Sequence, residues 1–402
     1  MLTSNHVNNE IIKFRKQVVY DFLRSTRLDP FMGDSSTMPI VRLSDLAADG
    51  KQINVPLVTQ LSGAGVGAGQ LVGNEEIIDS YGYPLWADWA RNAVANNRAV
   101  NKESSFSVRS TARELLRGWS KRIVRDDLVD ALLSIPTASI QSGRLGTPGN
   151  RVNGIKWSAA SAAQKNSWLT ANYDRVVFGS VLANGVSNVF ATAALLVDST
   201  SDKMTAAVGS LMKAQAQQSG VDPNNPGAYN GRPKISPWMI QDSEYANDQE
   251  WYLCLCGSRA FRDLKADATM YQANRDARER ESNPTKNNPI FTGGGMIFDG
   301  IYYLEIPEIT QRLLLRGIGT AGIDVEPVFL LGQAAMAYVM GQMPRPTQRK
   351  EDDYDFITGL GIEAQYGVGK LAKAPLSVSG ATVGDLVDFG MVTGFVSGVA
   401  NA

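Results

Sequence analysis

The chain has 402 residues, of which 44% are apolar and 20% charged, with a formal net charge of −1. That length buries a large core and allows two or three domains, while the balanced charge gives no global attraction to nucleic acid or acidic membranes. Two cysteines point to a reducing compartment without a disulfide framework, and the one histidine, His6, lies in a polar terminal segment, which leaves no oriented imidazole for a Ser-His-Asp or Cys-His device.

The first residues hold no apolar run of the secretory kind. Residues 10–27 have helical spacing at Ile11, Phe14, Val18 and Phe22, with Lys13, Arg15, Lys16, Arg24 and Arg27 elsewhere on the surface, and Asp29-Pro30 ends the pattern. An amphipathic helix without a neighbouring core seeks an apolar groove, on its own subunit or on another. Residues 51–61 alternate as a strand through Ile53, Val55 and Leu57. Gly63, Gly65, Gly67 and Gly69 then occupy every second position. No Gly-Lys-Ser/Thr follows, so this is not a phosphate loop; it reads as an extended hairpin reaching away from the body.

Residues 104–136 form the clearest helical region. Val108, Ala112, Leu115, Trp119 and Ile123 define its expected buried face, beside a ladder of Arg109, Arg113, Arg117, Lys121 and Arg125. The ladder is either a solvated flank, the preferred reading, or a surface for nucleic acid. Thr111 to Glu114 fits a capping box that sets the helix start, and Asp126-Asp127 suggests a second helix ended by Pro136. Helix is expected largely over 157–182 and over 205–218, with loops at 142–154 and 221–234.

Strands are expected at 238–241 and 250–257, the second leading into a helix over 258–267 and then a charged exposed loop over 268–288. Cys254 and Cys256 share a strand face. They read as small buried hydrophobes; the other reading is redox chemistry or half of a tetrahedral zinc site, which lacks His partners. The three glycines 293–295 precede Met, Ile and Phe rather than Lys-Ser/Thr, and Asp299-Gly300 is a hairpin signal. They read as backbone punctuation between strands, against a phosphate cradle. Apolar strands follow at 325–342, a charged turn at 345–357 and an alternating strand at 358–372. The apolar windows 328–343 and 386–400 are interrupted by Gly, Gln or Asp and fall short of a membrane helix. Antiparallel strands beside a long helix give an α+β class. Neither a catalytic constellation nor a metal or cofactor site is expected.

Five stretches in order carry a family resemblance: LSGAGVGAGQLVGNEE (61–76), EWYLCLCGSRAFRDLKAD (250–267), NPIFTGGGMIFDGIYYLEIPEI (288–309), VFLLGQAAMAYVMGQ (328–342) and IEAQYGVGKLA (362–372). The chain resembles the major capsid proteins of tailed bacteriophages with the Hong Kong 97-type fold, and is most similar to the N-four-like podovirus group. The resemblance implies an arm (1–45), an extended loop (46–100), a peripheral domain with a long spine helix (101–190), an axial domain (191–325), peripheral return strands (326–373) and a tail (374–402) that it does not cover. It implies a non-enzymatic virion protein, assembled in the host cytoplasm into hexamers and pentamers of an icosahedral shell around double-stranded DNA. Its partners would be its own copies, a portal, scaffolding or decoration proteins, and DNA bound without sequence preference, with no membrane. Gly63, Gly65, Gly67, Gly69, Glu75, Glu76, Phe14 and Phe22 become the expected inter-subunit residues, and Arg109, Arg113 and Arg117 the candidates for facing DNA. The competing readings are a nucleotide-binding enzyme that uses a glycine-rich loop, and the shell protein of a cellular nanocompartment.

Overall fold

The computed structural model describes residues 27–47, 52–59, 66–73, 75, 78, 80–97, 108–137, 151–221, 232–243, 246–273, 295–349, 356–374 and 385–400. Two mixed sheets organise them. The larger has seven strands, in the order Gly295–Phe298, Ile301–Glu305, Ala246–Cys256, Val325–Leu331, Met391–Ser397 and Val176–Phe178, with Met239–Ser243 paired to Ala246–Cys256 off this path. The smaller has six, in the order Met32–Gly33, Ile40–Leu43, Met336–Arg349, Ile357–Lys370 and Asp88–Asn97, with Val152–Asn153 paired to Ile357–Lys370. The spine of the smaller sheet is one long antiparallel pair, Met336↔Lys370 to Arg349↔Gly359, broken by irregularities around Gln342.

The larger sheet is covered on both faces, which explains its unbroken apolar strands. Leu253, Leu255, Phe329, Leu331 and Phe395 point into one hydrophobic cluster. Their neighbours Cys254, Cys256, Val328, Leu330, Val392 and Val396 point into another, closed by the helix Ala206–Gln218 through Val208 and Met212. That helix begins where the sequence says: the Thr205 hydroxyl accepts from the Val208 N–H at its N-terminus. The smaller sheet sends Tyr338, Tyr366 and Val368 into the first cluster, against the long helix Val108–Leu132, and Ala337 and Val339 to its other side.

Several expectations are corrected. The long helix runs unbroken from Val108 to Leu132, so Asp126-Asp127 starts no second helix and Thr111 lies inside the helix rather than at its cap. Its buried face is Ala112, Leu116, Ser120, Val124, Leu128 and Ala131, and Leu115 is 64% exposed. The region 157–182 is helical only at Ala162–Ala171 and then supplies the strand Val176–Phe178. Residues 268–273 are helical, not loop.

The segment boundaries shift too. Val325–Leu331 belongs to the larger sheet, and the chain crosses to the smaller one only at Met336. Asp88–Asn97 pairs with the smaller sheet from Asp88↔Tyr366 to Asn97↔Ile357, so the hairpin pairing ends at Trp86. The strands of residues 32–43 join that same sheet. Within the stretch expected as a tail, Met391–Ser397 is an interior strand of the larger sheet, paired with Val325–Leu331 on one side and Val176–Phe178 on the other.

A charged clasp joins the long helix to the larger sheet. The helix Pro307–Leu313 leaves the strand Ile301–Glu305 and presents Arg312 to the long helix. Its guanidinium forks onto Asp130, with both N–O distances 2.7 Å, and reaches Asp126 at 3.3 Å. Lys156 adds a second cation to Asp130 at 2.8 Å, and Arg125 pairs with Glu308 at 3.0 Å. Burial raises the Asp130 carboxyl, but the hydrogen bonds from Arg312 and Lys156 outweigh it and hold the group below its ordinary range.

Candidate assembly surfaces

The glycine-rich segment is the tip of a hairpin. Gln52–Val58 and Ser80–Trp86 pair antiparallel from Gln52↔Trp86 to Val58↔Ser80. The root is sunk in the molecule through Tyr83, Leu85 and Trp86, and Leu57, near the far end of the ladder, is buried as well. Asn153 fixes the root: its Oδ1 accepts from the Trp86 N–H at 2.8 Å and its Nδ2 donates to the Trp86 carbonyl at 3.0 Å. Toward the tip the chain uses glycine where φ is positive, at Gly67 and Gly73, and Gly69 donates to the Val66 carbonyl. The Glu75 carboxylate accepts from the Gly73 N–H at 2.7 Å. Leu71 is 66% and Val72 73% exposed, and Ile78 and Val58 are open as well. Gly63, Gly65 and Glu76 lie outside the described residues, as do Phe14 and Phe22 of the arm. The described chain takes up at Arg27, whose guanidinium donates to the Glu305 carbonyl at 2.7 Å, and Leu28 and Phe31 then enter the core.

A second open surface was not anticipated. Between Val181 and Leu196 the chain exposes Val181, Leu182, Val186, Val189, Leu195 and Leu196, while Phe190, Ala193 and Ala194 turn inward. Beside it lies an apolar groove of about 620 Å³, lined by Trp157, Ala162, Lys165, Val189, Leu195 and Ile318, among others. The signal in the sequence was the absence of any charged residue from 176 to 197. It was hidden because a charge-free run reads equally as core.

Arg113 and Arg117 stand half-buried on the long helix; Arg109 is on its first turn, with a side chain outside the described set. The lower half of the helix turns acidic and inward. Asp127, buried, pairs with Arg151 at 2.7 Å and accepts from the Tyr366 hydroxyl at 2.7 Å.

The glycines of 293–295 are represented by Gly295, the first residue of the strand Gly295–Phe298. A Cβ there would collide with the Tyr302 ring, so this glycine serves strand packing. Asp299 and Gly300 form the hairpin turn expected, with φ of 52° and 69°. Cys254 and Cys256 are fully buried, 3.7 Å apart at sulfur, and the hydrogen bond between them together with burial pushes the Cys256 thiol upward. Among the described residues no group of His, Cys, Asp and Glu could hold a metal ion, and no helix is long and apolar enough to cross a membrane.

Exposed apolar side chains at the hairpin tip and between Val181 and Leu196 fit a building block. The family of phage capsid proteins matches residues 3–400. The chain belongs to that family. This capsid protein is 27% identical to the solved chain titled "Cyanophage Pam1 capsid asymmetric unit", over 94% of each chain, with a TM-score of 0.75. It shares its fold with the capsid of Ralstonia phage GP4, at 17% identity over 92% and 90% of the two chains and a TM-score of 0.63. The head of Helicobacter pylori bacteriophage KHP40 has it too, at 13% identity over 92% of each chain and a TM-score of 0.61. No curated protein matches the sequence. The fold is thus the α+β capsid fold of the Hong Kong 97 type, and the capsid protein's place is the virion shell.

Proposed function

We propose that this capsid protein closes an icosahedral shell of hexamers and pentamers around double-stranded DNA, each copy completing its neighbours through the extended hairpin and the N-terminal arm. The observation that carries the reading is the hairpin: a well-anchored root, and a tip whose Leu71, Val72 and Ile78 are exposed. Apolar surface of that kind is costly in water and is covered by association. In this reading the smaller sheet with the long helix is the peripheral domain and the larger sheet the axial domain. Gly63, Gly65, Gly67, Gly69, Glu75 and Glu76 act at the hairpin contact, and Phe14 and Phe22 at the arm contact. The role is structural rather than enzymatic, and portal, scaffolding and decoration proteins are the further partners. The five sequence stretches support a place in the N-four-like podovirus group.

Contact with DNA would be through phosphates, without sequence preference, from Arg109, Arg113 and Arg117. Replacing the three by Gln tests this. Particles of the variant should hold nuclease-resistant DNA less tightly, with a shallower salt dependence of DNA binding by the disassembled subunit. An unchanged salt slope would remove the ladder from the DNA-facing surface.

A further inference from the structure

We propose that Lys370 and Asp388 condense into an amide within the chain, a covalent strap inside each subunit.

The two side chains meet where neither has much else to bind. Nζ of Lys370 lies 2.7 Å from Oδ2 of Asp388, and the side chains are 1% and 2% exposed. Other buried carboxylates of this chain are well served: Asp127 holds Arg151 and the Tyr366 hydroxyl, and Asp130 holds Arg312 and Lys156. Lys370 is not. An ammonium has three N–H donors. Among the described residues its one acceptor is Asp388, and its other neighbour is the Trp168 ring, whose centroid is 5.1 Å from Nζ. Oδ1 of Asp388 is buried without a hydrogen-bond partner among the described residues, and so is the Trp168 indole N–H. Burial, and after it the charge of Asp388, pushes the Tyr83 hydroxyl upward, which puts that phenol in the field of the carboxylate. Two full charges with so few partners are costly in a dry interior. An amide carries neither charge.

The backbone holds both ends still. Lys370 ends the strand Ile357–Lys370 and pairs with Met336. Asp388 pairs with Ala372, its N–H donates to the Asn172 side chain at 2.9 Å, and its carbonyl accepts from the buried Arg175. The carbon to be attacked, Cγ, is one bond beyond Oδ2. Such fixed geometry is worth an effective concentration of roughly 10⁵–10⁸ M. The step needs no co-reactant. Nζ passes a proton to Oδ2, and the freed lone pair attacks Cγ. The C–N bond forms, and the protonated oxygen leaves with a second proton from nitrogen as water. Nothing is oxidised or reduced. Lysine is a nucleophile suited to this bond, where arginine would only hold the carboxylate. The newly folded chain carries the ion pair, and the amide follows. It closes residues 371–387 into a covalent loop, and joins a strand end of the smaller sheet to the segment that enters the larger sheet at Met391.

Peptide mapping of the full wild-type chain, purified folded and incubated, tests the bond. No lysine or arginine lies between 374 and 402, so trypsin cuts the linear chain into 351–370, 371–373 and 374–402. The amide blocks cleavage at Lys370. It should give one branched species, 351–373 joined to 374–402 with the loss of one water, and fragmentation should place the branch between Lys370 and Asp388. The intact chain should likewise weigh one water less than its sequence, after allowance for removal of Met1. Lys370→Arg should keep its full mass and give linear peptides alone. Full mass with separate wild-type peptides would overturn the bond. So would a loss of water without the branched species, as a succinimide at Asp299-Gly300 gives. The proposal does not rest on the shell reading, and its failure leaves that reading standing.

Discussion

Leu115 and Leu116 are neighbours in sequence, yet one faces water and the other the core. Leu116 is 1% exposed and packs with Ile362 of the smaller sheet. The sequence stripe through Leu115 was misleading because the true buried face includes Ser120 and Asp127, polar residues that no apolar count would place inside. Leu116→Ala should cost the free subunit about 2–5 kcal/mol of unfolding free energy, and Leu115→Ala less than about 0.5 kcal/mol, by denaturant unfolding; equal losses would put the water line elsewhere. Lys370 and Asp388 form a fully buried pair at 2.7 Å. Lys370→Met alone leaves a buried carboxylate without its cation and should destabilise by about 3–5 kcal/mol, much of it regained on adding Asp388→Leu. The Asp130 carboxyl is held low by Arg312 and Lys156. Its stabilisation is therefore present above its unfolded value of about 3.9 and lost as the pH falls through the lower folded value. Asp130→Asn should be less stable than the wild type near neutrality, with the difference shrinking as the solution is acidified below about pH 4. A difference that persists there would mean the clasp does not depend on the carboxylate charge.

At the scale of elements, much was legible. The hairpin 52–86 follows from alternation and its glycine-rich tip, the Asp299-Gly300 turn from its dipeptide, and the helix after Thr205 from its amphipathic period. The strand Met391–Ser397 was not, for a physical reason. It is buried on both faces, so it lacks the alternation that marks a half-exposed strand, and its Gly394 looks like loop until Met212 is seen packed against it. The partners across long sequence distance were equally hidden. Glu326, buried, accepts from the Ala260 N–H at 2.5 Å and so caps the helix Ser258–Ala266, which has no side-chain cap of its own. Two deletions separate the elements. Removing residues 62–73 should leave a cooperatively folded subunit that makes no closed shells. Removing residues 391–402 should abolish soluble folding, because it takes an interior strand from between two others. A soluble, cooperatively melting product of the second deletion would contradict the topology.

At the scale of the whole molecule, the chain divides its labour. The interior is tied by paired charges and by a sheet covered on both faces. The surface keeps what a monomer would normally hide: an acidic aliphatic hairpin and an apolar groove flanked by cations. The sequence indicated the first and concealed the second, since a charge-free stretch looks the same whether it faces the core or a neighbour. The most direct measurement is cryo-electron microscopy of particles purified from the full chain. The account predicts closed icosahedral shells of ringed capsomers, with each hairpin lying on the next copy and its Leu71 and Val72 covered there. A monodisperse monomer at every concentration, or shells in which the hairpin tips remain in solvent, would contradict it.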